Sequence, residues 1–197
     1  MRNDQVRKFT ETAIFIALAT VLDLLFKLVP FFNMPQGGHI SLAMLPILII
    51  GFRNGWKYGL AGGFCYAIIN FFIDGMVLHI GSILFDYVLA FTVLGCTGFF
   101  QKQGRNVIKF NLIILGLCFA RYLFHSLSGV IFFREYASLP ESWNVSGNAL
   151  YFVYSFIYYN LPYMGLSTIL CMIVGTVLHL RGLVYKGVKE EVNSENK

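Results

Sequence analysis

The chain reads as long apolar runs separated by short polar joints. A bilayer crossing takes about 20 mostly apolar residues at about 1.5 Å each, and that ruler predicts helices at roughly 10–31, 41–53, 57–74, 79–100, 108–132 and 149–180. The second run is short and contains Pro46. It predicts a kinked or partial span, because partly unwound backbone at membrane depth needs cover from protein or a cavity. The last run exceeds one crossing, so its first turns are expected outside the membrane or along a pocket. The expected fold class is an all-α membrane protein, a six-transmembrane-helix bundle. Its parts are a segment 1–9, a membrane domain 10–180 and a solvated, frayed tail 181–197.

The joints alternate in charge. Arg2, Arg7 and Lys8 precede the first run, Arg53 and Lys57 flank the joint between the second and third, and Lys102, Arg105 and Lys109 join the fourth and fifth. Arg181, Lys186, Lys189 and Lys197 follow the last. Of the basic residues only Lys27, Arg121 and Arg134 fall elsewhere, so positive charge on the inner side predicts cytoplasmic termini at both ends. Joints 30–40, 73–78 and 133–148 are then external. The N-terminal polar stretch leads straight into a run of spanning length, so no cleavable signal peptide is expected.

Composition agrees and removes alternatives. The chain is 57% hydrophobic and 13% charged, with a mean hydropathy of +0.66, whereas soluble domains carry about 25% charged residues. The net charge of +5 is explained by topology rather than nucleic acid, because the basic residues form no single face. Cys65, Cys96, Cys118 and Cys171 lie one per apolar run without metal-ligand spacing. They are expected to be buried small hydrophobes rather than disulfides or zinc ligands. There is no GxxxxGK[ST] sequence, so the chain does not itself hydrolyse a nucleotide by that route. HExxH and GxSxG are also absent, which leaves a membrane-embedded enzyme resting on Ser128 and His125 alone.

Three polar constellations interrupt the apolar runs. Asp86 lies within the run from Ile80 to Thr97, where a carboxylate opposes insertion by roughly 2.5–3.5 kcal/mol and normally faces a partner, a cavity or a ligand. Arg121, His125, Ser128 and Phe132 share one face of the fifth helix. That stripe is either interhelical glue or a pocket wall, and for Arg121 the structural role is favoured, as a partner for a carboxylate such as Asp23 or Asp86 or as a snorkelling anchor. Phe156, Asn160, Tyr163 and Ser167 form a corresponding face on the last helix, beside Tyr158 and Tyr159; an amide such as Asn160 suits the edge of a heteroaromatic ring. With Tyr87 beside it and Phe132, Phe133, Tyr136 and Trp143 supplied by the external joint before the last helix, Asp86 suits an organic cation, to which each ring contributes roughly 0.5–2 kcal/mol. A structural Asp86–Arg121 ion pair is the competing reading. On the first helix Ala13 and Ala17, followed by Ala19, allow close approach of another helix, within the chain or from a partner.

In order and spacing, PQGGHISLAMLPILIIGFRNGWKYGLAGG, ILFDYVLAF, RYLFHSLSGVIFF and YNLPYM resemble the substrate-binding subunits of energy-coupling factor thiamine transporters over residues 10–180. The resemblance implies a six-helix membrane protein that takes up thiamine from outside, not an enzyme and without a cofactor. It also implies a bacterial cell membrane, a scaffold transmembrane subunit that docks at Ala13 and Ala17, and two ATP-binding subunits. Matched to thiamine-contacting positions are Asp86, Tyr87, His125, Phe133 and Asn160, with Tyr154, Gly37 and Ser41 as further substrate-binding positions. Asp86 stands where the family often has Glu, Phe133 where a Trp stacks, and Ser41 where some members are acidic. Around Tyr154 and Asn160 the spacing is one residue longer than the family pattern. In this reading loops 33–41 and 133–148 close over the pocket. Another heterocyclic vitamin or a pyrimidine precursor is the alternative ligand, for which Phe133 and Ser41 leave room.

Overall fold

A computed structural model describes residues 2–35, 37–75 and 79–185, and throughout them the chain is helical, with a single isolated β-bridge between Asn33 and His39. Lys186, Lys189 and Lys197, and most of the tail expected to fray, lie outside the described residues. Helix α1 (Arg2–Leu28) starts well before residue 10, so the polar residues 2–9 are the first turns of the helix rather than a separate segment. Asp4 fits that end: it meets Arg7 at 3.0 Å and Lys8 at 3.0 Å, and a carboxylate in the first turn complements the helix dipole. The helix stops two residues before Pro30, which opens a 3-10 turn, Pro30–Phe32.

Helix α2 (Met44–Asn54) is partial but not kinked. Pro46 is its third residue, where the missing N–H would have had no intrahelical acceptor anyway. Its 11 residues rise about 16 Å, about half a bilayer core. Nearly every side chain on it is buried, Ile47, Leu48 and Ile50 completely, so this short helix is the axis around which α1, α3 (Trp56–Asp74) and the next helix pack. Gly55, at φ 94°, reverses the chain between α2 and α3 in a conformation that favours glycine.

Helix α4 (Ile80–Phe100) begins where the Nδ1 of His79 accepts the Gly81 N–H at 2.9 Å. Its hydrogen-bond pattern then changes twice, to a π turn over Ile83–Leu89 and to a tighter 3-10 stretch over Val93–Phe100. That tighter stretch passes so near α3 that a Cβ on Gly95 would run into the carbonyl oxygen of Gly59. Thr97 Oγ1 donates to the Leu48 carbonyl at 2.8 Å and Gln101 Nε2 to that of Phe52 at 2.9 Å, fastening α4 to α2. Helix α5 (Val107–Phe132) is capped by Asn106, whose Oδ1 accepts from the N–H groups of Ile108 and Lys109 at 3.0 and 3.1 Å. Helix α6 (Asn148–Leu180) contains a second π turn, Val153–Asn160.

Helices α1, α4, α5 and α6 are each long and apolar enough to cross a membrane. Large apolar side chains cover the outside, including Phe72 at 80% and Ile80 at 81% exposure, a surface that suits lipid and not water. Cys65 belongs to that outer face, which corrects its expected burial, and Cys96 is half-buried; Cys118 and Cys171 are in the core. Ala13 and Ala17 also point outward, whereas Ala19 is fully buried and does not continue their face.

Candidate ligand site

A cavity of about 500 Å³ opens between the helices at the end of the bundle away from Arg53, Lys102 and Arg105. Each wall follows from a local feature of the chain. From α4 come the neighbours Asp86 and Tyr87, both on the π turn; from α6 come Tyr154, Ser155, Tyr159 and Asn160, all on the other π turn. A π turn holds one residue more than an α turn and lengthens the local repeat to five. It therefore places Tyr154 with Tyr159, their rings 5.9 Å apart, and Ser155 with Asn160. This is the physical content of the extra residue in that stretch. The 3.6-residue reading brought Phe156 onto the same face; instead Phe156 packs edge-on to Tyr122 at 5.8 Å, away from the cavity.

Helix α5 contributes Arg121, His125 and Gly129. Gly129 is where α5 and α6 touch: a Cβ there would strike Ser155 Oγ. Asp86 does not pair with Arg121. It accepts from Ser128 Oγ at 2.7 Å and faces His125 Nδ1 at 3.1 Å, so the stripe on α5 and the carboxylate on α4 meet, through different members than expected. Ser128 spends its proton on Asp86 and His125 turns Nδ1 to the same carboxylate, leaving no serine–histidine nucleophile pair. Arg121 lays its guanidinium 4.3 Å from the centroid of the Phe91 ring and makes no hydrogen bond or ion pair among the described residues. Its buried Nε and the Nε2 of His125 are both left without a partner. Such groups are costly in isolation and inexpensive when a ligand meets them.

Asp23, weighed from sequence as a counter-ion for Arg121, is instead held by His39 Nε2 at 3.1 Å, Ser41 Oγ at 2.7 Å and Asn70 Nδ2 at 3.1 Å. It lines the cavity with all three. Asp23 and Asp86 are the carboxylates of the wall and Arg121 its guanidinium.

Of the expected substrate-binding residues, Asp86, Tyr87, His125, Phe133, Tyr154, Asn160 and Ser41 all line this cavity. Gly37 does not; it sits behind the wall with its backbone against Tyr159, and its neighbour Gly38 takes the lining place. Both glycines have positive φ, 102° and 77°. Asn160 is buried with its amide already engaged: Nδ2 donates to the Ser155 carbonyl at 2.9 Å and Oδ1 accepts from Tyr163 at 2.8 Å. Trp143 and Phe132, expected among the aromatic residues near Asp86, pack elsewhere, against Tyr158 at 5.8 Å and against His79 at 5.0 Å. Sequence reading gave no site role to His39, Asn70 or Asp23. For Asp23 and Asn70 the available signal was the same one that singled out Asp86, a polar side chain inside an apolar run, whereas His39 lies in the 30–40 joint.

Comparison with known proteins bears on what occupies such a cavity. Residues 9–185 match the family model described as Thiamine transporter protein. The thiamine transporter ThiT of Bacillus subtilis (strain 168) is 31% identical over 190 residues, covering 91% of this chain and 93% of the relative. The thiamine transporter ThiT of Lacticaseibacillus paracasei is 30% identical over 192 residues, covering 90% and 89%. Among solved structures, ThiT from Listeria monocytogenes superposes with a TM-score of 0.74 over 92% of this chain and 99% of that one; at 22% identity this speaks for the fold.

Proposed function

The chain belongs to the thiamine transporter protein family, and we propose that its cavity is the thiamine site of a multi-pass membrane uptake subunit. The activity is transport, not catalysis, and thiamine is cargo rather than cofactor. The observation that carries the assignment to this cavity is its chemistry: two carboxylates against one guanidinium, set among aromatic faces. Thiamine carries one fixed positive charge on its thiazolium ring. Cation and ring faces attract at roughly 0.5–2 kcal/mol per contact, and a carboxylate at hydrogen-bonding distance adds more.

In this reading Asp86 and His125 meet the aminopyrimidine, Tyr87 and Phe133 give ring faces, and Tyr154 and Ser41 complete the wall. The partnerless Nε of Arg121 and Nε2 of His125 are available to polar atoms of the ligand. Asn160 acts mainly through Tyr163 and the π turn, and Gly37 through Tyr159, each one step removed from the ligand.

The wider assembly follows the same premise. Residues 10–180 form a six-helix membrane domain of a bacterial cell-membrane protein, with both termini cytoplasmic and the cavity open to the outside. Outward-facing Ala13 and Ala17 dock a scaffold subunit that carries two ATPases, and their hydrolysis drives release inward. Titration calorimetry of the purified protein with thiamine tests the ligand. A heat of binding that thiamine derivatives compete away is expected; no heat and no competition would reject it.

A further inference from the structure

Asp23 lies five residues before the end of α1, on a helix whose surroundings are otherwise apolar. A carboxylate there is expensive unless donors surround it. The donors come from two separate parts of the fold. His39 Nε2 and Ser41 Oγ, both from the α1–α2 connection, reach Oδ1 at 3.1 and 2.7 Å, and Asn70 Nδ2 from α3 reaches Oδ2 at 3.1 Å.

The connection itself is a miniature hairpin. Its β-bridge joins Asn33 to His39, Met34 N–H donates to the Gly38 carbonyl at 3.0 Å, and Ile40 N–H to that of Phe32 at 2.8 Å. Its described residues are bonded to one another, and the contacts that fasten them to the helices decide whether the cavity is covered. On one side Gly38 lies flat against the Tyr163 ring. On the other, Ser41 is the junction: its Oγ donates to Asp23 and accepts from Ala43 N–H at 3.1 Å, and its own N–H donates to Ser167 Oγ on α6 at 3.0 Å.

We propose that Asp23 is the positioning residue that clasps the α1–α2 hairpin over the cavity, fixing His39 and Ser41 in its wall. The carboxylate gathers the hairpin's side-chain donors onto one oxygen and ties the other to α3, so a single residue joins the cover to two helices.

The inference rests on the cavity being the thiamine site only for its binding consequence, and the test separates the two. Hydrogen–deuterium exchange is measured on the ligand-free full-length protein in detergent, wild type and Asp23→Ala. Exchange at the Met34, Gly37, Ile40 and Ser41 amides should accelerate at least tenfold, with α2 amides unchanged. Thiamine dissociation should accelerate about tenfold with association within threefold of wild type. Ser41→Ala should act in the same direction, and the double variant should be no worse than Asp23→Ala alone. Exchange within twofold of wild type, acceleration spread equally through α2, or additive effects of the two substitutions would overturn the clasp. If Asp23→Ala does not fold, Ser41→Ala and His39→Ala remove the same bonds from the hairpin side and must reproduce the localised exchange. A wild type that ignores thiamine rejects the ligand, while the exchange experiment still decides the role of Asp23.

Discussion

Replacing Asp86 by Asn keeps the shape of the side chain and removes the charge. Of the two carboxylates in the cavity wall, Asp23 and Asp86, one then loses its charge. With the aminopyrimidine against Asp86, the thiazolium charge lies about 7 Å from the carboxylate and is attracted by about 2 kcal/mol at an effective dielectric constant of about 20, and the charged hydrogen bond to the aminopyrimidine adds about 1.5–3 kcal/mol. Partial access of water to a side chain that is 14% exposed reduces this, so about 2–4 kcal/mol is expected. That range corresponds to roughly thirtyfold to a thousandfold weaker thiamine binding, because each 1.4 kcal/mol is about tenfold. The internal contacts are less affected: the Ser128 hydroxyl still finds an amide oxygen, and His125 can change tautomer to face the new group. Calorimetry with thiamine reads the loss. The same titration with an uncharged pyrimidine fragment of thiamine separates the two parts, since that fragment should lose only the hydrogen-bond share. Unchanged thiamine affinity would refute the reasoning and return Asp86 to a structural role with Ser128 and His125.

Phe133→Ala should weaken thiamine binding by up to about tenfold through loss of one ring face, and Phe133→Trp should restore it; equal affinities for all three would remove Phe133 from the site. Gly95→Ala forces a Cβ into the Gly59 carbonyl, an overpacking worth about 1–3 kcal/mol. It should lower the thermal unfolding midpoint in detergent, and an unchanged midpoint would mean that α3 and α4 yield freely. Ala17→Trp enlarges an outward-facing position of α1, so purified protein should still bind thiamine while uptake in cells containing the scaffold falls to background. Normal uptake would place the docking face elsewhere.

The apolar runs located the helices to within three residues, apart from the polar start of α1, because burial in lipid leaves a signal that needs no partner. What the runs could not convey was the pitch inside them. Asp86 and Tyr87 sit on one π turn and Tyr154 to Asn160 on another, and a reading at 3.6 residues per turn carried Phe156 into the cavity and out of its actual place. Pro46 was read as a kink because its distance from the helix start was unknown; as the third residue of α2 it breaks nothing. Arg121 was matched to a carboxylate on charge alone. Both carboxylates had already been claimed by histidines and serines, a choice made by three-dimensional reach rather than by sequence. Asp23 shows the opposite limit: it carried the same signal as Asp86, but its donors His39 and Ser41 come from a loop whose path has no periodicity to read.

The two π turns make residue number, as well as residue identity, a determinant of what the cavity recognises. In an ordinary helix each residue advances the face by about 100°. Deleting one residue from the 153–160 stretch would let α6 close up into a regular helix that still spans the membrane, yet would rotate Tyr154 and its upstream neighbours by about that angle relative to Tyr163. The aromatic wall would be redrawn without a single substitution in it. Related chains can therefore change ligand by gaining or losing one residue at this turn, and an alignment gap there is a statement about specificity rather than loop length.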